Sequence, residues 1–185
     1  MAHLDEHHIL YDLQHGFRKA CSCDTQLVSF IHDLASRLDE GGQTDVVVMD
    51  FVKAFDKVSH RLLLHELDQY GIDGMTNSWI ASFLSNRQQP VVLDGATSTN
   101  RSFYSGVPQG SVLGPILFLI YINDLPRHLD SKVSLFADNC IMYRNIRSTQ
   151  DCRALQTDID RLEAWETKWK MKFNTDKCEC LRVTR

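Results

Sequence analysis

Two carboxylates and a glycine-rich loop are the residues of this chain best suited to chemistry. Asp50 ends a β-branched run, Asp45-Val46-Val47-Val48-Met49-Asp50. Asp138 stands in Leu135-Phe136-Ala137-Asp138-Asn139-Cys140-Ile141-Met142-Tyr143, an apolar run broken by a polar tip. A buried strand can aim its last carboxylate into a cleft, and a hairpin tip can lie beside it. Hard oxygen ligands from neighbouring strands hold divalent cations, and a pair of such ions suits in-line phosphoryl transfer. Between the two segments lies Ser105-Gly106-Val107-Pro108-Gln109-Gly110-Ser111, where glycine allows close backbone approach and Gln109 offers both donor and acceptor. Each feature taken alone also has a structural reading: Asp50 as a helix cap, Asp138-Asn139 as a turn, and the loop as a tight entry into a helix.

Local patterning supplies the elements that must position these groups. Leu27, Phe30, Ile31 and Leu34 recur at helical spacing and predict a helix over residues 25–38, stopped by Gly41-Gly42. Residues 45–50 read as a buried strand. Leu62, Leu63, Leu67 and Tyr70 form the stripe of a helix closed by Gly71, and another helix follows over 77–84. Residues 90–93 and 101–104, joined through Asp94-Gly95, predict a hairpin. Residues 111–125 read as a helix that is apolar almost all round, hence buried. Residues 133–137 and 140–144 flank Asp138-Asn139 as a second hairpin. Ser148-Thr149-Gln150-Asp151 offers a helix start, and Leu155, Ile159, Leu162, Trp165 and Trp169 continue an amphipathic helix. A strand over 178–183 follows. This order implies an α+β fold, an antiparallel sheet with helices packed on one face.

Composition bounds the function without choosing it. With 185 residues, 43% hydrophobic and 24% charged, the chain can bury a core. No apolar stretch reaches the ~18 residues of a membrane span, so no membrane partner is expected. The N-terminus lacks an apolar leader, which predicts an intracellular setting, cytoplasmic and nuclear. Net charge is −4, yet residues 161–185 carry seven Lys/Arg against four Asp/Glu. Clustered metal-binding carboxylates lower the total without opposing nucleic acid. The six cysteines include the pairs Cys21/Cys23 and Cys178/Cys180, spaced Cys-x-Cys rather than the Cys-x-x-Cys of structural zinc sites. Period-2 spacing in a strand would set both thiols of a pair on one face, where reduced thiols simply pack.

The two acidic segments and the loop between them, in this order and with these spacers, resemble the palm of a reverse transcriptase of the non-LTR (LINE-type, jockey-like) retrotransposon kind. The likeness runs from about residue 10 to residue 183, and residues 105–115 match almost position for position. It implies a ferredoxin-like polymerase palm over 45–185 with a fingers-like insertion at about 71–104, partial fingers over 1–44 and no thumb. Such a piece belongs to a larger polyprotein. The implied activity is RNA-directed DNA synthesis, transferring dNTPs onto a primer 3′-OH with two Mg²⁺ or Mn²⁺ ions. The implied partners are an RNA template, a DNA primer and dNTPs.

The resemblance also assigns roles by position. Asp50, Asp138 and the backbone carbonyl of Phe51 would be metal ligands. Asn139 replaces the second Asp that the family usually carries beside Asp138 in the catalytic pair. Its amide brings no charge, which weakens metal affinity, and a remnant that only binds nucleic acid or a partner is the alternative reading. Phe55 would stack beneath the incoming sugar and exclude a 2′-hydroxyl; a core phenylalanine is the plain alternative. Asp56 is typical of the LINE-type branch without having to be a ligand; a salt bridge or a cap on the following helix explains it equally well. Gln109 and Gly110 would contact the nucleotide, while Gly106, Pro108 and Gln109 lie against the template. Gln14-His15-Gly16-Phe17-Arg18-Lys19 resembles a fingers motif in which Arg18 contacts the triphosphate, its guanidinium fork suiting phosphate oxygens; an ordinary surface arginine also fits. Lys177 would protonate or neutralise pyrophosphate, a solvated lysine being the alternative. A nucleotidyl cyclase, another palm-type enzyme, leaves the 105–111 loop unexplained and requires a Gly-Gly-[Asp/Glu]-[Asp/Glu]-Phe tip that this sequence lacks.

Overall fold

Branched side chains pack well on a pleated surface, and the run Val46-Val47-Val48 forms the middle of strand β1 (Gln43–Asp50). The computed structural model describes residues 2–185. Helices α1 (Ala2–Glu6) and α2 (Cys23–Asp39) precede β1. Further along lie β6 (Lys132–Phe136), β7 (Asn139–Ile146), helix α7 (Thr149–Trp169) and β8 (Glu179–Val183). These strands form a four-stranded sheet in the order β6-β7-β1-β8, with every pairing antiparallel. In the sheet β7 lies between β1 and β6, and β1 lies between β7 and β8. That is the expected ferredoxin-like order, and it places β1 inside the sheet. The register sets Asp50 opposite Asn139, and Asp45 between Arg144 and Arg182.

The two faces of the sheet are covered differently. The row of Met49, Cys140, Met142, Val133 and Leu135 is fully buried. The next residue of that row on the β1 side, Phe51, lies against Trp165 of α7, with ring centroids 5.8 Å apart. On the other row, Tyr143 packs edge-on to Phe30 of α2 at 5.2 Å, and its hydroxyl donates to Asp33 at 2.6 Å. Ser22 caps α2 reciprocally: its Oγ accepts from the Thr25 amide, and the Thr25 Oγ1 accepts from the Ser22 amide. Ser148 caps α7 by accepting from the Asp151 amide, as its sequence start suggested.

Two buried carboxylates sew the segment before β6 onto α7. Asp124 accepts from the indole N–H groups of Trp165 at 2.7 Å and Trp169 at 3.0 Å. Asp158 accepts from the amides of Asp130 at 3.1 Å and Ser131 at 2.8 Å, and from Arg161. Burial pushes the Asp158 carboxyl up, but these hydrogen bonds outweigh it and hold the pKa below the usual carboxylate value. Asn123 serves the N-terminal side by accepting from the Tyr11 amide and donating to the Ile9 carbonyl.

The chain divides into two compact units: residues up to Val52 together with Ile122–Arg185, and Lys53–Tyr121. The second unit holds α3 (Ala54–Lys57), α4 (His60–Gln69), α5 (Gly74–Leu84), four two-residue strands and α6 (Leu113–Tyr121). Gly71 at φ +74° lets α4 end in a turn, with the Ile72 amide reaching back to the Leu67 carbonyl.

Several boundaries differ from expectation, each for a local reason. The expected pairing of 90–93 with 101–104 is replaced by two short pairs. β2 (Gln88–Gln89) meets β5 (Arg101–Ser102), and β3 (Val92–Leu93) meets β4 (Ala96–Thr97). Asp94 and Gly95 both take positive φ, so the chain returns after a two-residue turn, and Pro90 lacks the N–H to continue a ladder. The helix expected over 111–125 is shorter, Leu113–Tyr121, and a separate 3₁₀ turn (Leu125–His128) carries Pro126 near its start, where the missing N–H is tolerated. Cys21 and Cys23 are not in a strand: Cys21 precedes α2 and Cys23 opens it. All six thiols are free.

Candidate active site

The last residue of β1 is held by the chain that leaves α7. The Asp50 carbonyl accepts from the Asn174 amide at 2.7 Å, and the Val52 amide donates to the Lys172 carbonyl at 2.8 Å. Phe51 bridges Phe173 between these two bonds, and their rings stack at 4.3 Å. The Phe173 amide in turn donates to Glu166 of α7. This clasp carries Lys177 to the same strand end, where its Nζ lies 2.7 Å from Asp50 Oδ2. Proximity to that carboxylate raises the lysine pKa above its ordinary value.

Asp138 arrives from the β6–β7 turn. Ladder pairing runs to Phe136 opposite Asn139, so the turn residues are Ala137 and Asp138. The expected tip of Asp138-Asn139 is therefore shifted by one: Asn139 begins β7 and lies directly across from Asp50. The Asp138 carboxyl is half-buried, and its pKa is raised, first by burial and then by the Asp50 charge, while Lys177 works in the opposite sense. Asp50, Asp138, Asn139 and Lys177 thus converge at one end of the sheet. Two carboxylates there share a single ammonium, which leaves the site short of positive charge. A hard cation fits that deficit, and the exposed lysine stands where such a cation would be welcome. Among the described residues no cluster of three or more His, Cys, Asp or Glu side chains is present. A cation here would rely on two carboxylates, a backbone carbonyl and solvent.

Residues 53–121 gather a second group of the expected positions. Gly106, at φ +89°, lies so close to α3 that an added Cβ would come within 2.9 Å of the Asp56 Cα and carbonyl oxygen. The Gly106 amide donates to the Val58 carbonyl and the Val107 amide to the Phe55 carbonyl, both at 2.8 Å. Ser105 donates to the Asp56 carbonyl, and Gln109 Nε2 donates to Asp56 Oδ1 at 3.1 Å. Asp56 is thus a partner of the loop. Ser111 Oγ accepts from the Gly114 amide and donates to the Pro108 carbonyl, which fixes the start of α6. Gln109 and Gly110 remain exposed. Phe55 is half-buried and stacks on Phe118 at 4.5 Å.

Arg18 donates to the Tyr11 carbonyl at 2.9 Å. The stretch that carries it does reach the Asp138 turn, through Gln14, a residue with no expected role. Gln14 is buried, and its side-chain amide binds both the N–H and the carbonyl of Ala137. A glutamine two residues before a glycine is the trace this contact leaves in the sequence.

The reverse transcriptase (RNA-dependent DNA polymerase) family model matches residues 1–184. A probable RNA-directed DNA polymerase from transposon BS of Drosophila melanogaster is 30% identical over 94% of this chain and 20% of its own length. The RNA-directed DNA polymerase from mobile element jockey of the same organism is 28% identical over 89% of this chain and 19% of its own length. The chain thus spans about a fifth of the length of these relatives. Among solved structures, telomerase from Candida albicans, in complex with a fragment of telomeric RNA, overlays with a TM-score of 0.69. That overlay covers 97% of this chain and 33% of the telomerase chain at 12% identity, a likeness of fold. The chain belongs to the reverse transcriptase family, among homologues from non-LTR retrotransposons.

Proposed function

We propose that this chain is the palm, with part of the fingers, of an RNA-directed DNA polymerase that adds dNTPs to the 3′-OH of a DNA primer on an RNA template. The observation that carries this reading is the convergence of Asp50 and Asp138, from segments far apart in sequence, beside one lysine. Asp50, Asp138 and the Phe51 carbonyl would hold two Mg²⁺ or Mn²⁺ ions. When bound, such a pair favours the attacking alkoxide and neutralises the leaving pyrophosphate.

The chain's own residues supply the remaining functions. The Asn174 and Phe173 contacts fix the end of β1, so the Asp50 carboxylate is presented from rigid backbone. Lys177, exposed on a flexible stem, offers a proton or a positive charge to the departing pyrophosphate. Arg18 contributes a guanidinium fork for the triphosphate. Phe55, braced by Phe118, presents a ring that stacks beneath the sugar and selects against a 2′-hydroxyl. Gln109 and Gly110, exposed on a loop that Asp56 steadies, contact the nucleotide, and Gly106, Pro108 and Gln109 face the template.

Primer extension tests the reading directly. The full chain is given an RNA template, a DNA primer, dNTPs and Mn²⁺, and wild type is compared with Asp50→Ala and Asn139→Asp. The expected result is extension that needs Mn²⁺, is lost in Asp50→Ala and increases in Asn139→Asp. A folded Asn139→Asp variant that neither extends a primer nor binds Mn²⁺ would overturn the proposal.

A further inference from the structure

We infer that Gln14 is a positioning residue for Asp138, locking the backbone of the turn that presents this carboxylate. The inference rests on the reading of Asp138 as a metal ligand. Ala137 sits at φ +51°, a left-handed conformation that a residue with a Cβ adopts only when its surroundings hold it there. Gln14 provides the hold. Its Oε1 accepts from the Ala137 amide at 2.9 Å, and its Nε2 faces the Ala137 carbonyl at 3.3 Å. One planar amide that binds the N–H and the C=O of the same residue restrains the two torsions between them. Those torsions set the direction of the next residue, Asp138.

The glutamine is itself held in place. Its Oε1 also accepts from the Gly16 amide at 2.8 Å, and the residue is 3% exposed. Its backbone lies alongside β6 as a short parallel pairing, with the His15 amide donating to the Leu135 carbonyl at 2.8 Å and the Leu135 amide donating to the Leu13 carbonyl at 2.9 Å. Gly16 explains the close approach, because a Cβ there would fall 2.3 Å from the Ala137 nitrogen. Glutamine and glycine in Gln14-His15-Gly16 therefore serve one task, and the stretch that ends in Arg18 is fastened to the turn that bears Asp138.

The test combines amide hydrogen exchange with Mn²⁺ titration on the full chain. In wild type the Ala137 amide should be protected. In Gln14→Leu it should exchange about tenfold or more faster, with β1 amides unchanged, and Mn²⁺ affinity should fall by a similar factor. Glycine visits positive φ readily, so adding Ala137→Gly to Gln14→Leu should restore Mn²⁺ affinity to within about twofold of Ala137→Gly alone. A glutamine that merely filled space would not be rescued this way. If Gln14→Leu does not fold, Gln14→Glu decides the matter: it retains the acceptor, so Ala137 should stay protected within about threefold. An unprotected Ala137 amide in wild type would overturn the inference, as would a folded Gln14→Leu with wild-type exchange and Mn²⁺ affinity. If wild type binds no Mn²⁺, the metal reading falls, while exchange at Ala137 still decides the role of Gln14.

Discussion

Asp45 and Asp50 belong to the same strand, and each is met by a basic side chain from the last ten residues of the sequence, yet their surroundings differ in kind. Arg182 reaches Asp45 with Nε at 3.1 Å and Nη2 at 3.2 Å, a two-point contact across the β1–β8 pairing. Gln43 donates to the same carboxylate at 2.8 Å, and Arg144 lies opposite on β7. At Asp50 a lysine makes one contact, and the Asp50 charge acts on a second carboxylate, Asp138. Arg182 and Lys177 are equally exposed, each 64%. The difference thus lies in balance. Asp45 is electrically satisfied by the fold, whereas Asp50 and Asp138 together outnumber their single ammonium. A satisfied carboxylate anchors a sheet, and under the proposed function the unbalanced pair would receive a cation.

Exchanging the two aspartates should break this contrast cleanly. Asp50→Ala should lower primer extension by more than about 100-fold, since losing even an indirect support of a metal ligand costs 10–100-fold. Asp45→Asn should leave extension and Mn²⁺ affinity near wild type but lower Tm by about 5 °C, because it weakens charge-assisted hydrogen bonds at a buried position. Differential scanning calorimetry and extension assays on the same preparations separate the two outcomes. Asn139→Asp sharpens the contrast by deepening the charge deficit: Mn²⁺ affinity should rise about tenfold by calorimetry.

Removing the lone ammonium is a milder change. Lys177→Met should raise Mn²⁺ affinity about threefold, since an exposed ion pair competes only weakly. Under the proposed function extension should fall nonetheless, because Lys177 would assist the departing pyrophosphate. The matching change Arg182→Met should leave Mn²⁺ affinity unaltered.

The smallest effect concerns pH, and its sign differs between regions. The Asp138 carboxyl titrates above its ordinary value, so protons compete with cations there. Mn²⁺ affinity should therefore fall as pH drops through that raised pKa. For the same reason the folded state binds the proton more tightly, and stability declines slightly as pH rises from the ordinary carboxylate range through the raised value. Asp158 is the opposite case, its pKa held down. Its contribution is present above the ordinary value and lost as pH falls through the depressed one. Asp138→Asn should abolish the first dependence and Asp158→Asn the second, as read by Tm against pH.

What could be read from the sequence followed from how local its cause was. The valines of β1, the Leu155-to-Trp169 stripe of α7 and the caps at Ser148 depend on neighbours within a few residues, and they appear where expected. That Asp50 and Asp138 meet at one end of the sheet was legible because the order of the two segments pointed to neighbouring strands. The site's supports were not. Gln14, Asn174, Asp124 and Asp158 act through partners remote in sequence, and nothing in a polar residue's own neighbourhood announces which distant amide it will meet. The turn at Ala137-Asp138 was displaced by one residue for the same reason. Asp-Asn reads as a turn on propensity, but the buried Gln14 amide makes a left-handed alanine tolerable instead.

The central claim, that the Asp50–Asp138 pair is an unbalanced cation site while Asp45 is a closed structural one, is tested most directly by Mn²⁺ titration calorimetry of wild type, Asp50→Asn, Asp138→Asn and Asp45→Asn. Mn²⁺ binding to wild type and Asp45→Asn, with binding lost in both Asp50→Asn and Asp138→Asn, is the result the account requires. Equal binding by all four folded proteins, or by none, would contradict it.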